Sequence, residues 1–399
     1  MDVLLVLGPG LVADRDLLIK LAEDTSGELG AGLKVLDAVT VAELGAHDGP
    51  AVVVPADPAL MTAGPANTVF YDLTVAAEPA SPQHLYGRGV WGLVWAIRHA
   101  VHRLRHPAER IAYGSHPEQW ADERPAAPGQ RSATRTSALA PDAPERASAP
   151  GLLPDDTASA PGQLPGGRAG ASGQLPGGRA GAPGFPAGAA DAPSVAPVGI
   201  LVHGGFWRSI WAADLMDALA IDLSARGWTS WNLEYRRPDR HGWAATTADV
   251  AAGVAKARER HPGAPIVVFG HSAGGQLALR LAADDPGLAL AVSLAGVLDL
   301  YEGQRRFLGE GAITTALGGA PADVPDVYAA SDPMTRLPLA SPALLVQGSG
   351  DGLDLVDINR RFAAASGITL LEQPGDHFDV ITPSSPIWQA TMDAVISRT

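Results

Sequence analysis

A serine lies inside the glycine-rich pentapeptide GHSAG at residues 270–274. The apolar residues 266–269 precede this turn, and the helix-favouring sequence 276–281 follows it. A serine in a sharp turn between a strand and a helix is typical of a nucleophile elbow, whose close packing requires glycines. The helix N-terminus also places partial positive charge beside a developing oxyanion. The pattern therefore predicts Ser272 as a nucleophile.

A nucleophilic serine needs a histidine as its base, and the histidine needs a carboxylate that orients it. In chains with such an elbow the order is serine, acid, histidine. The sequence GDHFD after the last apolar strand offers His377 as the base. Asp351, at the end of the preceding strand, is the favoured acid, and Asp354 and Asp299 stay open as alternatives.

Negative charge that develops on a substrate oxygen needs two N–H donors. The first is the backbone N–H of Ala273, directly after the serine. The motif HGGFW at residues 203–207 follows an apolar strand, and its glycines allow the backbone to turn an N–H inward. We expect the second donor in this loop.

Apolar strands alternate with helical patterns on both sides of a low-complexity segment, which predicts two parallel sheets flanked by helices. Residues 1–106 are expected to form a small flavodoxin-like α/β domain, and residues 107–124 with 196–399 a catalytic domain. Residues 125–195 are rich in Ala, Pro and Gly and repeat the decamer GQLPGGRAGA at an 11-residue spacing. This composition predicts a flexible insert. Because residues 110–122 are interpreted as one strand, the insert is expected in a hairpin loop.

The composition excludes several classes of function. The net charge of −14 argues against a nucleic-acid partner, and the absence of cysteine excludes disulfides and a cysteine nucleophile. No apolar run approaches the roughly 18 residues that span a bilayer, and no basic leader precedes the first strand. We expect a cytoplasmic protein without metal or cofactor, and with no membrane partner.

Three motifs in order resemble those of α/β-hydrolases related to arylformamidase (kynurenine formamidase) and the neighbouring carboxylesterases: HGGFW, NLEYRR at residues 232–237 and GHSAGG at residues 270–275. The resemblance implies an α/β-hydrolase fold and a triad of Ser272, Asp351 and His377. It also implies oxyanion donors at Gly205 or Phe206 together with Ala273. Ser349 departs from the acid loop of that family, in which an aspartate is common at this position.

These residues predict a serine hydrolase that cleaves an N-formyl aryl amide or a small carboxylic ester through an acyl-enzyme. A general carboxylesterase and a non-catalytic ligand-binding protein of the same fold are the alternatives. Trp207, Tyr235 and Phe378 are candidate walls of a pocket for a small aryl or acyl substrate. Residues 297–342 are expected to form a small cap of two helices, and the protein is compatible with a homodimer.

The first domain is similar to type II dehydroquinate dehydratase in its strand LLVLGP at residues 4–9 and its closing segment YGRGVWGLVWAIR at residues 86–98. The functional parts of that family are missing: Asp72 and Thr74 stand where it has Glu and His. We therefore predict an inactive domain. The histidine stripe of its last helix, His99, His102 and His106, is interpreted as a solvated cationic face.

Overall fold

The computed structural model describes residues 1–37, 47–55, 67–73, 84–127 and 195–399. The low-complexity insert with its repeat lies outside these residues. No helix within them is long and apolar enough to cross a membrane.

The described part of the N-terminal domain contains one sheet of five parallel strands. The strands are β1 (Asp2–Leu7), β2 (Gly32–Asp37), β3 (Ala51–Val54), β4 (Thr68–Asp72) and β5 (His84–Tyr86), and the helices are α1 (Arg15–Glu28) and α2 (Gly92–Arg105). The strand order is β2-β1-β3-β4-β5, which is the flavodoxin-like order. The expected small flavodoxin-like layer is confirmed.

The larger domain has a sheet of eight strands among the described residues. These are β6 (Glu109–Ala112), β7 (Trp120–Arg124), β8 (Val198–Val202), β9 (Thr229–Leu233), β10 (Ile266–His271), β11 (Leu290–Leu294), β12 (Ala343–Gly348) and β13 (Leu370–Gln373). Their order is β13-β12-β11-β10-β8-β9-β7-β6, and strands β8 to β13 run parallel. The central strands are buried on both faces, as their continuous apolar sequences predict.

Helices cover both faces of this sheet and separate its parallel strands. They are α3 (Asp217–Ala225), α4 (Pro238–His241), α5 (Trp243–Arg260), α6 (Ala273–Asp284), α7 (Leu300–Arg305), α8 (Leu308–Leu317), α9 (Pro325–Ser331), α10 (Leu353–Ser366) and α11 (Pro386–Ile396), with 3-10 turns at Ala213–Met216 and Asp379–Ile381. The loops after β8, β10, β12 and β13 leave the sheet at one edge, because parallel strands end on the same side.

Three expectations about this domain are wrong. Residues 110–122 are not one strand, because the bends and turn of residues 113–118 divide them into the antiparallel hairpin β6–β7. The insert therefore joins β7 to β8, which are not neighbours, since β9 lies between them. The cap contains the three short helices α7, α8 and α9 in place of the expected pair.

Of the histidine stripe of α2, only His106 is solvent-exposed. Helix α2 packs against α3 and the 3-10 turn before it. His99 is buried, and its Nδ1 lies 2.5 Å from Oδ2 of Asp217. Burial lowers the pKa of His102 to about 4, so this imidazole is neutral at neutral pH. The helical spacing alone did not reveal that a second domain covers this face.

Candidate active site

Ser272 connects β10 to α6 in a strained conformation, with φ 53° and ψ −116°. The glycines around it leave no space for a side chain. A Cβ on Gly270 would lie 2.0 Å from the carbonyl oxygen of Gly274, and one on Gly274 would lie 2.1 Å from that of Val202. Backbone hydrogen bonds hold the serine in place, from its N–H to Leu294 (2.8 Å) and to its carbonyl from Gly275 (2.9 Å). The strand–turn–helix geometry expected around Ser272 is therefore present, and the role of Ser272 as nucleophile stays a prediction.

His377 lies in the loop after β13, and its Nδ1 is 2.8 Å from Oδ2 of Asp351. Asp351 also accepts hydrogen bonds from the Gln347 amide (2.9 Å) and the Gly352 N–H (2.6 Å). Burial opposes its negative charge, but these bonds and His377 outweigh burial and lower the pKa of Asp351 below its usual value. An ionised carboxylate therefore orients the imidazole.

The two alternative acids have other partners. Asp354 forms an ion pair with Arg306 on the surface. Asp299 caps α7 by accepting the N–H of Glu302 at 2.9 Å. Of the three acids weighed from the sequence, Asp351 is the one hydrogen-bonded to His377.

His271 contributes to the site in a way that sequence reasoning missed. Its Nε2 lies 3.0 Å from the carbonyl oxygen of His377, and the two rings are 4.7 Å apart. Burial, followed by the neighbouring His377, lowers the pKa of His271 to about 3, so the neutral ring donates to this carbonyl. Within the described residues the Ser272 hydroxyl forms no hydrogen bond to His377, and such pairs commonly tighten only with substrate.

The loop after β8 lies directly against the elbow. A Cβ on Gly204 would be 2.9 Å from Cβ of Ser272. Gly205, Phe206 and Trp207 follow with φ values of 105°, 51° and 56°. Among the described residues, no acceptor takes the N–H groups of Gly205, Phe206 and Ala273. The structure thus brings the predicted oxyanion residues to the serine with free donors.

The three aromatic residues expected at the pocket occupy different positions. Trp207 and Tyr235 are buried in the core, where Trp207 packs edge-on to Trp243 and Tyr235 donates its hydroxyl to the His203 carbonyl at 2.8 Å. Phe378 is partly exposed beside His377, with ring centroids 5.4 Å apart. Contact of these side chains with substrate stays a prediction.

His203, the first residue of the oxyanion loop, is buried against Glu234, with Nε2 of His203 3.2 Å from Oε1 of Glu234. Neither residue was singled out individually from the sequence. Burial lowers the pKa of His203 to about 3, and its ring stacks on Tyr235 at 4.3 Å. The Glu234 carboxylate accepts the N–H groups of Ala213 (2.9 Å) and Tyr235 (3.0 Å) and forms an ion pair with Arg237. The sequence feature that could have indicated Glu234 is the group of charged residues in the NLEYRR motif, directly after strand β9.

His116, Glu118 and His241 form the one group of the described residues that could hold a cation, with ligand atoms within 4.8 Å of one another. Glu118 is also ion-paired with Arg237, and Nδ1 of His116 accepts the Glu118 N–H at 3.2 Å. These contacts already engage the carboxylate and one imidazole nitrogen.

Residues 200–395 match the model of the alpha/beta hydrolase family, which agrees with the sheet, the elbow and the order of the site loops. This part of the chain therefore has the α/β-hydrolase fold. A comparison with curated protein sequences gives no match.

Matches among solved structures include three esterases. Esterase B from Lactobacillus rhamnosis is 16% identical, with 51% of this chain and 76% of that chain covered and a TM-score of 0.43. A thermostable esterase from Pseudomonas putida ECU1011 is 21% identical, with 51% and 74% covered and a TM-score of 0.40. A thermophilic esterase from the Planctomycetes species Thermogutta terrifontis is 21% identical, with 52% and 85% covered and a TM-score of 0.40.

Proposed function

We propose that the protein is a serine hydrolase that cleaves small carboxylic esters or N-formyl aryl amides through an acyl-enzyme. The observation that carries this proposal is the convergence of four loops at one sheet edge. They supply a strained serine, a histidine held by an ionised aspartate, and free backbone N–H groups beside the serine.

In the proposed reaction the Ser272 Oγ attacks the substrate carbonyl carbon while Nε2 of His377 accepts its proton. The N–H groups of Ala273 and of Gly205 or Phe206 stabilise the resulting oxyanion. The imidazolium then returns the proton to the departing alcohol or amine, which leaves an acyl group on Ser272. Water, deprotonated by His377, attacks this ester and releases the acid.

The environment of the site supports an aryl or acyl substrate over a sugar. Phe378 lies beside the histidine, and Phe206 lies in the oxyanion loop. Both rings are partly exposed, so they offer apolar surface to a ligand. The N-formyl aryl amide is proposed because of the HGGFW motif, whereas the ester needs only the serine, the base and the donors.

The test uses a fluorophosphonate probe with p-nitrophenyl acetate and N-formylkynurenine as substrates. Wild-type protein should label and hydrolyse, and Ser272→Ala should lose labelling and about 10⁵–10⁶-fold in kcat. Ser230→Ala is the matched control, because Ser230 is a buried serine of β9 whose hydroxyl has no partner among the described residues.

A wild-type protein that neither labels nor hydrolyses would contradict the proposed function. Labelling with turnover of the ester alone would retain the hydrolase and remove the formamide from its substrates.

A further inference from the structure

The turn between β5 and α2 of the N-terminal domain inserts an arginine into the hydrolase domain. The Arg88 guanidinium forms a two-pronged ion pair with Asp214 (2.6 and 2.8 Å), and its Nε donates to the Ile210 carbonyl at 2.6 Å. Both side chains of the ion pair are 1% exposed. The ion pair is therefore buried from solvent like a core residue.

Arg88 bonds to residues 210 and 214, which follow the oxyanion loop of residues 203–207 in the chain. The Tyr86 hydroxyl donates to the Ser209 carbonyl at 2.8 Å, and the Arg88 guanidinium lies 4.5 Å from the centre of the Trp211 ring. Trp211 in turn packs on Gly205, since a Cβ there would lie 2.2 Å from Cγ of Trp211. Contacts therefore run without a gap from Arg88 through Trp211 to a proposed oxyanion donor.

The same domain also contacts the histidine side of the site. The ring of Trp95, on α2, is 5.8 Å from that of Phe378. Phe378 follows His377 in the chain and also lies 5.8 Å from His271, whose Nε2 bonds the His377 carbonyl. The N-terminal domain thus contacts Trp211, which packs on the oxyanion loop, and Phe378, which lies beside His377.

We propose that the N-terminal domain is a positioning element for the hydrolase site, with Arg88 as its main positioning residue. This inference rests on the proposed function. Arg88 touches no reacting atom; it fixes residues 209–214 and, through Trp211, the backbone of Gly205. Oxyanion donors act through preorganisation, and a displacement of about 1 Å can cost roughly 100-fold in rate.

The test compares Arg88→Lys with Arg15→Lys. Lysine keeps the positive charge beside Asp214 but cannot make the fork and also bond Ile210. Arg15 makes a similar pair with Asp37 on the exposed face of the same domain, so it is a matched control. With p-nitrophenyl acetate, Arg88→Lys should lower kcat about tenfold with KM within twofold, and the control should match wild type.

A second variant and a second measurement keep the inference testable if Arg88→Lys folds poorly. Tyr86→Phe removes one hydroxyl and should lower kcat two- to threefold at unchanged KM. Amide hydrogen exchange of residues 205–214 should be faster in both variants than in wild type, with exchange in α10 unchanged. Faster exchange confined to these residues would distinguish positioning from general destabilisation.

The two proposals fail differently. An inactive, unlabelled wild-type protein would contradict the hydrolase. An active wild type whose Arg88→Lys and Tyr86→Phe variants keep its kcat and its exchange in residues 205–214 would overturn the positioning role alone. Loss of activity in proportion to the unfolded fraction would also overturn it.

Discussion

Asp332 is a fully buried acid next to the cap. Its Oδ1 accepts the N–H of Leu300 at 2.8 Å. Burial, together with the nearby charge of Asp299, raises the pKa of Asp332 to about 6. The folded protein therefore retains a proton that the unfolded chain loses near pH 4. This raised pKa contributes stability below about pH 4, and the contribution is lost as the pH rises through about 6.

Asp332→Asn should remove this pH dependence. The wild-type free energy of unfolding, relative to the variant, should fall by up to about 3 kcal/mol between pH 4 and pH 8, because each pKa unit corresponds to 1.36 kcal/mol. Urea unfolding of both proteins at several pH values measures the difference. A difference that stays constant with pH would contradict the prediction.

Residue spacing was informative where a side chain acts from the end of a strand. Asp351 and His377 both follow apolar strands, and the hydrogen bond expected between them is present. His271 and Arg88 could not be assigned in this way. Their partners, His377 and Asp214, are more than a hundred residues away in the chain, and no local pattern records such a contact.

At the scale of elements, the loop after β8 depends on glycine in the place where it meets the elbow. Gly205 has φ 105°, and Trp211 fills the space where its Cβ would lie. Any other residue at position 205 would therefore meet both an unfavourable backbone conformation and the side chain of Trp211. Gly367, at the end of α10, has φ 70° but open space around it.

Gly205→Ala should lower kcat/KM by about 100-fold or more, since the loop must shift away from the serine. Gly367→Ala is the control with backbone strain alone, and it should cost roughly 1–2 kcal/mol of stability without changing kcat. Steady-state kinetics and thermal unfolding of the two variants make the comparison. Equal activities would show that the loop tolerates the displacement.

Long elements were predicted better than short ones. The apolar strands of the larger sheet and the amphipathic helix α2 follow the periodicities of their sequences. Strand β5 has three residues, too few to show a periodicity, and no separate sequence pattern marks β6 and β7, which flank residues 113–119. The cap helices are also short, so their number could not be derived from periodicity.

At the scale of the whole molecule, β7 and β8 both pair with β9. Adjacent strands are about 4.8 Å apart, so the two strands that flank β9 are separated by roughly 10 Å. A flexible linker of about ten residues reaches that far. The fold therefore has no need of the full insert to connect its strands.

Replacing residues 129–193 with a ten-residue Gly/Ser linker should leave kcat and KM unchanged. Loop-closure entropy predicts a small gain in stability, about 1.7 kcal/mol at most. Chemical unfolding and p-nitrophenyl acetate kinetics test both statements. A large loss of kcat in a folded protein would assign the insert a part in catalysis.

The pairing of β7 with β9 also bears on how the chain is made. Asp122 pairs with Asn232, and everything between them must leave the ribosome before this part of the sheet can close. The N-terminal domain and the hairpin β6–β7 are complete long before that moment. A contact of such high sequence separation is slow to form. During synthesis the edge of β7 that pairs with β9 therefore stays unpaired until β9 has been made. A shorter insert shortens this interval.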